Sequence, residues 1–168
     1  VTVAIAEPGG TVPNMERVTR FLQPGQLIVS FEPATITTIL GSCVSVCLWD
    51  PRTSIGGMNH FMLPIPVAGH AASPRFGDFA MQQLVDRMEA AGARMRSVRA
   101  KVFGGASMFP IVDDRREGRT HLGAQNADLA IQFLKNAGIP VVERDLGGTR
   151  GRKLIFQTDE GTSCLKLI

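Results

Sequence analysis

Gly41-Ser42-Cys43-Val44-Ser45-Val46-Cys47-Leu48-Trp49-Asp50-Pro51-Arg52-Thr53 is the stretch on which the reading of this chain turns. Val44, Val46 and Leu48 share one side, and Cys43, Ser45, Cys47 and Trp49 share the other. That alternation is the period of a β-strand. Apolar residues on both sides predict a strand covered on both faces. Asp50-Pro51-Arg52-Thr53 is a turn signal, and Gly57–Leu63 reads as the return strand, stopped by Pro64. A turn centred between Pro51 and Arg52 puts His60 directly opposite Cys43. A centre one residue onward makes the two diagonal neighbours. Opposite Cβ atoms lie roughly 4.5–5.5 Å apart and diagonal partners roughly 7–8 Å. Either register brings an imidazole near a thiol.

Upstream, Gln26–Glu32 and Ala34–Leu40 are rich in β-branched residues and read as two strands joined near Pro33. Met15–Leu22 is a short amphipathic stretch that Pro24-Gly25 ends. Downstream, Ile65–Pro74 is a loop. Arg75–Ala91 has helical spacing, with Phe76, Ala80, Leu84, Val85 and Met88 in one stripe and Gly92 at the C-cap. Val98–Phe103 reads as a strand entering Gly104-Gly105, and Phe109–Arg119 as a charged loop. A second helix starts at Thr120 or His121 and runs to Asn136, with Leu122, Leu129, Ile131 and Leu134 apolar; Gly138 ends it. Strands follow near Ile139–Leu146, Lys153–Thr158 and Ser163–Leu167. Blocks of strands with two substantial helices predict an α+β fold: a layered α/β/β sandwich of mixed and antiparallel sheets.

The chain has 168 residues, 44% hydrophobic and 20% charged. This suits one domain and excludes long-range disorder and a coiled coil. No segment approaches the roughly 20 apolar residues of a membrane helix, so no membrane insertion is expected. Val1–Asn14, with Pro8, Gly9, Gly10 and Pro13, reads as a flexible arm before a single domain over 15–168. Three cysteines are an odd, low count, which points to reduced thiols and a cytoplasmic setting. The net charge of +3 is spread along the chain, with one Trp and no Tyr. A nucleic-acid groove has a denser basic footprint and stacking aromatics, so no nucleic-acid partner is expected.

Gly41 and Ser42 place Cys43 at the mouth of a strand, where small residues let a ligand approach the main chain. A nearby imidazolium favours thiolate, the nucleophilic form, so Cys43 and His60 make a candidate catalytic pair. The alternative is a packed cysteine and a structural histidine. A metal site at Cys43, Cys47 and His60 is disfavoured. Cys43 and Cys47 would lie about 13 Å apart on a strand, too far for one ion, and no metal is expected. Gly105-Ala106-Ser107-Met108-Phe109 lacks the last Gly of a hydrolase nucleophile elbow. Gly147–Lys153 lacks the Gly-Lys-Ser/Thr of a phosphate loop and reads as a hairpin with its basic residues facing solvent.

Leu40-Gly41-Ser42-Cys43-Val44-Ser45-Val46-Cys47-Leu48-Trp49-Asp50-Pro51, followed by Gly56-Gly57-Met58-Asn59-His60-Phe61-Met62-Leu63-Pro64, resembles the chemoreceptor glutamine deamidase family, CheD. The resemblance continues through Phe76-Gly77-Asp78, Gly104-Gly105-Ala106-Ser107-Met108-Phe109, Leu122-Gly123-Ala124-Gln125-Asn126 and Gly147-Gly148-Thr149-Arg150-Gly151-Arg152-Lys153. Gln125 stands where many relatives carry Arg. The resemblance implies hydrolysis of glutamine side-chain amides on the cytoplasmic helices of chemoreceptors, without cofactor. It implies a nucleophile at Cys43, a histidine at His60 and a third polar residue at Thr37, six positions before the cysteine, with Thr38 adjacent. It also implies an α/β/β sandwich and, as a further partner, a CheC-type chemotaxis phosphatase. Ser42 and Ser107 are candidate substrate-binding residues, and backbone N–H groups near Ser42–Cys43 are candidates for the oxyanion. Two other readings keep the same residues: an adaptor without activity, and a Cys–His hydrolase of glutamyl methyl esters.

Overall fold

Strands β4 (Val44–Asp50) and β5 (Ile55–His60) form the hairpin that the sequence signals. Cys47 pairs with Met58 and Asp50 with Ile55. The connecting residues are Pro51 to Ser54; Ser54 has a φ of 57° and its N–H donates to the Asp50 carbonyl at 2.9 Å. The turn therefore centres between Arg52 and Thr53, one residue onward from Pro51–Arg52. The computed structural model describes residues 16–107 and 121–168. The arm expected over Val1–Asn14 and the charged loop over Phe109–Arg119 lie outside the described residues.

The hairpin is the centre of a five-stranded sheet. β2 (Gln26–Ser30) lies outside β5; β6 (Arg99–Gly104) and then β7 (Val141–Leu146) lie beyond β4. The order is β2-β5-β4-β6-β7, with only β6 and β7 parallel. A four-stranded sheet holds β1 (Val18–Phe21), β3 (Ala34–Leu40), β8 (Arg152–Gln157) and β9 (Ser163–Leu167) in the order β1-β3-β8-β9. Helices α1 (Gly77–Ala90) and α2 (Leu122–Asn136) pack on the five-stranded sheet. The layers are α/β/β, as expected.

Two apolar layers hold these elements together. Val44, Val46, Leu48, Val102, Leu84, Met88 and Leu134 pack between the helices and the sheet. Ile36, Leu40, Cys47, Met58, Phe103, Leu154 and Phe156 pack between the two sheets. β4 is thus buried on both faces, as its pattern predicts.

Several local expectations are corrected. β2 and β3 are joined near Pro33 but belong to different sheets, as do β7 and β8. Gly147–Gly151 is therefore a crossing between layers and not a hairpin. Arg152 does not face solvent: it is 4% exposed, and its guanidinium donates to Asp145 at 2.6 Å and to the Gly147 carbonyl at 2.7 Å. Residues 18–21 of the amphipathic N-terminal stretch form a strand parallel to β3. The buried stripe of α2 is Gly123, Asn126, Ala127, Ala130 and Leu134, while Leu122 is exposed. Small residues there let the helix approach the backbone at Gly105.

Candidate active site

β3 lies in one sheet and β4 in the other, so Gly41-Ser42-Cys43 crosses between the sheets at one end of the sandwich. Backbone donors fix this crossing. Ala106 N–H donates to the Gly41 carbonyl at 2.9 Å and Gly105 N–H to the Cys43 carbonyl at 2.8 Å. Asn126 Nδ2, reaching from α2, donates to the Ser42 carbonyl at 3.1 Å and the Met62 carbonyl at 2.9 Å. Gly104 makes the approach possible. Its φ is 114°, and a Cβ there would overlap the Cys43 carbonyl oxygen. Cys43 itself is half-buried and its thiol is free.

His60 ends β5 and is 1% exposed. The β4–β5 register continues through the Val44–Phe61 bridge, placing Ser45 opposite His60 and Cys43 on the diagonal. All three side chains share the inter-sheet face with Cys47 and Met58. From the other sheet, Thr38 Oγ1 lies 2.8 Å from His60 Nδ1 and 2.7 Å from the Leu22 carbonyl oxygen. A carbonyl can only accept, and the threonine hydroxyl has one proton. Thr38 therefore donates to Leu22 and accepts from His60 Nδ1–H. This fixes the neutral imidazole with its proton on Nδ1 and a lone pair on Nε2. Among the described residues, Nε2 is buried without a hydrogen-bond partner, as are Ser45 Oγ and Asn126 Oδ1.

Burial sets the charge states. It pulls the His60 imidazole down to about 4, against a smaller opposing effect of the Leu22 carbonyl. It pushes the Cys43 thiol up, partly offset by a backbone hydrogen bond. At neutral pH the resting site is thus a thiol beside a neutral imidazole. Desolvation of both groups opposes the imidazolium–thiolate pair that the sequence predicts.

Cys43 and His60 come together on one face. The threonine that touches His60 is Thr38, not Thr37. β3 turns Ala34, Ile36, Thr38 and Leu40 inward, so Thr37 points away, level with Phe21 and Ile155 of the neighbouring strands. Ser42 contributes its carbonyl to the scaffold, and Ser107 N–H donates to the Gly148 carbonyl at 2.9 Å. Asn126 has no role in the sequence reading. Its signal was its place in Leu122-Gly123-Ala124-Gln125-Asn126, where helical spacing puts a polar side chain on the buried face.

A half-buried cysteine at a strand mouth, beside an imidazole held in one tautomer by a hydroxyl, is an arrangement suited to thiol-dependent acyl chemistry. The family model described as CheD chemotactic sensory transduction matches residues 62–167. A probable chemoreceptor glutamine deamidase CheD 1 from Anaeromyxobacter dehalogenans is 49% identical, covering 87% of this chain and 82% of its own. Its counterpart named CheD in Sulfurimonas denitrificans is 40% identical over 92% of this chain and 97% of its own. The one from Trichlorobacter lovleyi is 45% identical over 86% and 88%. The chain belongs to the CheD family. A crystal structure of Bacillus licheniformis hypothetical protein YfiH aligns with a TM-score of 0.47 and 19% identity, over 71% of this chain and 49% of that one.

Proposed function

We propose that this protein is a chemoreceptor glutamine deamidase, hydrolysing glutamine side-chain amides on chemoreceptor cytoplasmic helices with Cys43 as nucleophile and His60 as proton carrier. The observation that carries this reading is the His60 tautomer: Nδ1–H is spent on Thr38 and Nε2 is free to accept a proton. As Cys43 Sγ attacks the carboxamide carbon, its proton moves to Nε2. Backbone N–H groups near Ser42–Cys43 receive the oxyanion. The imidazolium returns the proton to the amide nitrogen, which leaves as ammonia, and a thioester remains. Neutral His60 then takes a proton from water as the water oxygen attacks the thioester. Collapse releases glutamate and, with the proton returned, the Cys43 thiol. Thr38 orients the ring throughout, while Gly104, Gly105 and Asn126 hold the Cys43 segment in place. The chemistry needs no cofactor. Family membership supports chemoreceptors as the substrate, and the three free cysteines fit a cytoplasmic setting. A CheC-type phosphatase is a further partner on the strength of the family resemblance.

The test is peptide mapping by mass spectrometry of purified receptor cytoplasmic fragments, incubated with the parent or with Cys43→Ala. The expected result is new glutamates with the parent and none with the variant. Equal conversion by both would overturn the assignment of Cys43, and no conversion by the parent would overturn the activity.

A further inference from the structure

At the opposite end of β4 from Cys43, two chain segments meet around a cleft of about 580 Å³. Its lining is Arg52 from the β4–β5 turn, Arg94, Met95, Arg96 and Ser97 from the segment after α1, and Arg99 from the start of β6. Seven residues of strand separate this end from the cysteine, roughly 20 Å. Like-charged guanidinium groups repel, so their convergence from separate segments requires a frame. The buried Asp50 carboxylate supplies it. Oδ1 accepts from Arg52 N–H at 2.9 Å and Ser97 Oγ–H at 2.5 Å; Oδ2 accepts from Thr53 Oγ–H at 2.7 Å and Arg94 N–H at 2.7 Å. Both segments are tied to one carboxylate, whose acceptor sites are taken up within the frame. The guanidinium groups remain available. Arg99 donates from one nitrogen to the Ser97 and Val98 carbonyls, and among the described residues none of the four arginines forms an ion pair.

We propose that this cleft is a binding site for a small phosphate-bearing anion with at least two negative charges. Planar guanidinium forks match phosphate oxygens in pairs, and the volume is that of a small-molecule site. Among the described residues, Met95 is the only apolar side chain in the lining, and none of them supplies the aromatic or aliphatic anchor on which protein interfaces depend. That favours a compact anion over an acidic protein surface. The proposal is independent of the deamidase reading: it uses none of the residues at Cys43 and its readout is binding.

Isothermal titration with sodium tripolyphosphate at physiological ionic strength tests it, using the parent, Arg94→Ala/Arg96→Ala and Lys153→Ala/Lys166→Ala. The second pair are register neighbours, exposed on the four-stranded sheet, and serve as a basic control away from the cleft. The expected result is saturable one-to-one binding by the parent, weakened at least about tenfold by the arginine variant and unchanged in the lysine variant. Absence of saturable binding, or equal weakening in both variants, would overturn the site. A hexaglutamate peptide binding as tightly as tripolyphosphate would overturn the choice of phosphate in favour of an acidic partner. Arg94 and Arg96 are exposed side chains, and circular dichroism of each variant confirms that loss of binding is not loss of fold.

Discussion

The layer between the helices and the five-stranded sheet uses its buried amide Asn59 as a structural connector. Its Oδ1 accepts from Val46 N–H at 2.9 Å, and its Nδ2 reaches the Ala80 carbonyl at 3.4 Å. At the Cys43 crossing, by contrast, Asn126 of α2 leaves Oδ1 without a partner among the described residues, and the layer between the two sheets does the same there. Thr38, Ser45 and His60 are all buried in that layer, and among the described residues Ser45 Oγ and His60 Nε2 are left without partners. Buried polar atoms are ordinarily satisfied, because desolvation without a hydrogen bond costs about 1–3 kcal/mol. The comparison teaches where to look for chemistry. Asn59 spends its capacity on the fold, whereas the inter-sheet layer keeps a lone pair in reserve beside a thiol.

The backbone shows the same contrast, and glycine substitutions break it most severely. Gly104→Ala puts a Cβ at a φ of 114° onto the Cys43 carbonyl. Gly138→Ala, at the end of α2, also has a positive φ, 68°, but meets nothing within 4 Å. The expected costs are about 3 kcal/mol or more for the first and about 1 kcal/mol for the second, read by thermal unfolding. Equal costs would contradict the close approach that holds the cysteine segment.

Acid sharpens the contrast next. The imidazole of His60 sits near 4 when folded and about 6.5 when unfolded. Above 6.5 neither state binds the proton. Between 6.5 and 4 the unfolded chain takes it and the folded protein does not, so stability falls as pH falls through that window. The total is about 3 kcal/mol, and the effect is complete below 4. Urea unfolding from pH 7 to pH 4.5 should show a steeper loss for the parent than for His60→Gln. Parallel slopes would count against a neutral buried imidazole.

The adjacent threonines on β3 separate inward from outward. Thr38→Val removes the acceptor for His60 Nδ1–H and should lower kcat/KM about 10- to 100-fold, with Thr38→Ser restoring most of it. Thr37→Val should change kcat/KM less than about twofold. The reverse ranking would return the third polar role to Thr37. The smallest effect belongs to Ser45→Ala. Removing an unpartnered buried hydroxyl should leave the unfolding free energy unchanged or raise it by up to about 1 kcal/mol. A loss above about 1 kcal/mol would mean that the hydroxyl has a partner in solution.

Much of this architecture is legible in the chain. Ala34–Leu40 and Ser163–Leu167 are strands with the bounds that composition predicts, and the two-sided apolar pattern of β4 matches burial on both faces. What composition does not carry is which sheet a strand joins. β2 and β3 are consecutive, both β-branched-rich, and end up in different layers, because partner choice depends on residues far along the chain, such as His60 for Gln26 and Gln157 for Thr35. The family resemblance likewise implies Thr37 without showing which way a β3 side chain points. Counting back six residues from Cys43 reaches Thr37, but the pleat decides by parity, and the inward set runs through Ile36, Thr38 and Leu40. Arg152 reads as a surface cation until the crossing of Gly147–Gly151 wraps it with Asp145 and a carbonyl. The slip of one residue at the Asp50–Ile55 turn, which sets Cys43 diagonal to His60, rests on the local geometry at Ser54.

The central claim is a resting neutral pair on one face of the hairpin, with the His60 proton on Nδ1 facing Thr38 and Nε2 without a partner among the described residues. Nitrogen-15 NMR of the histidine side chains, followed from pH 8 towards pH 4, tests it most directly. The account predicts a neutral His60 with protonated Nδ1 at pH 7 and titration near 4. An imidazolium at pH 7, or a neutral ring with its proton on Nε2, would contradict it.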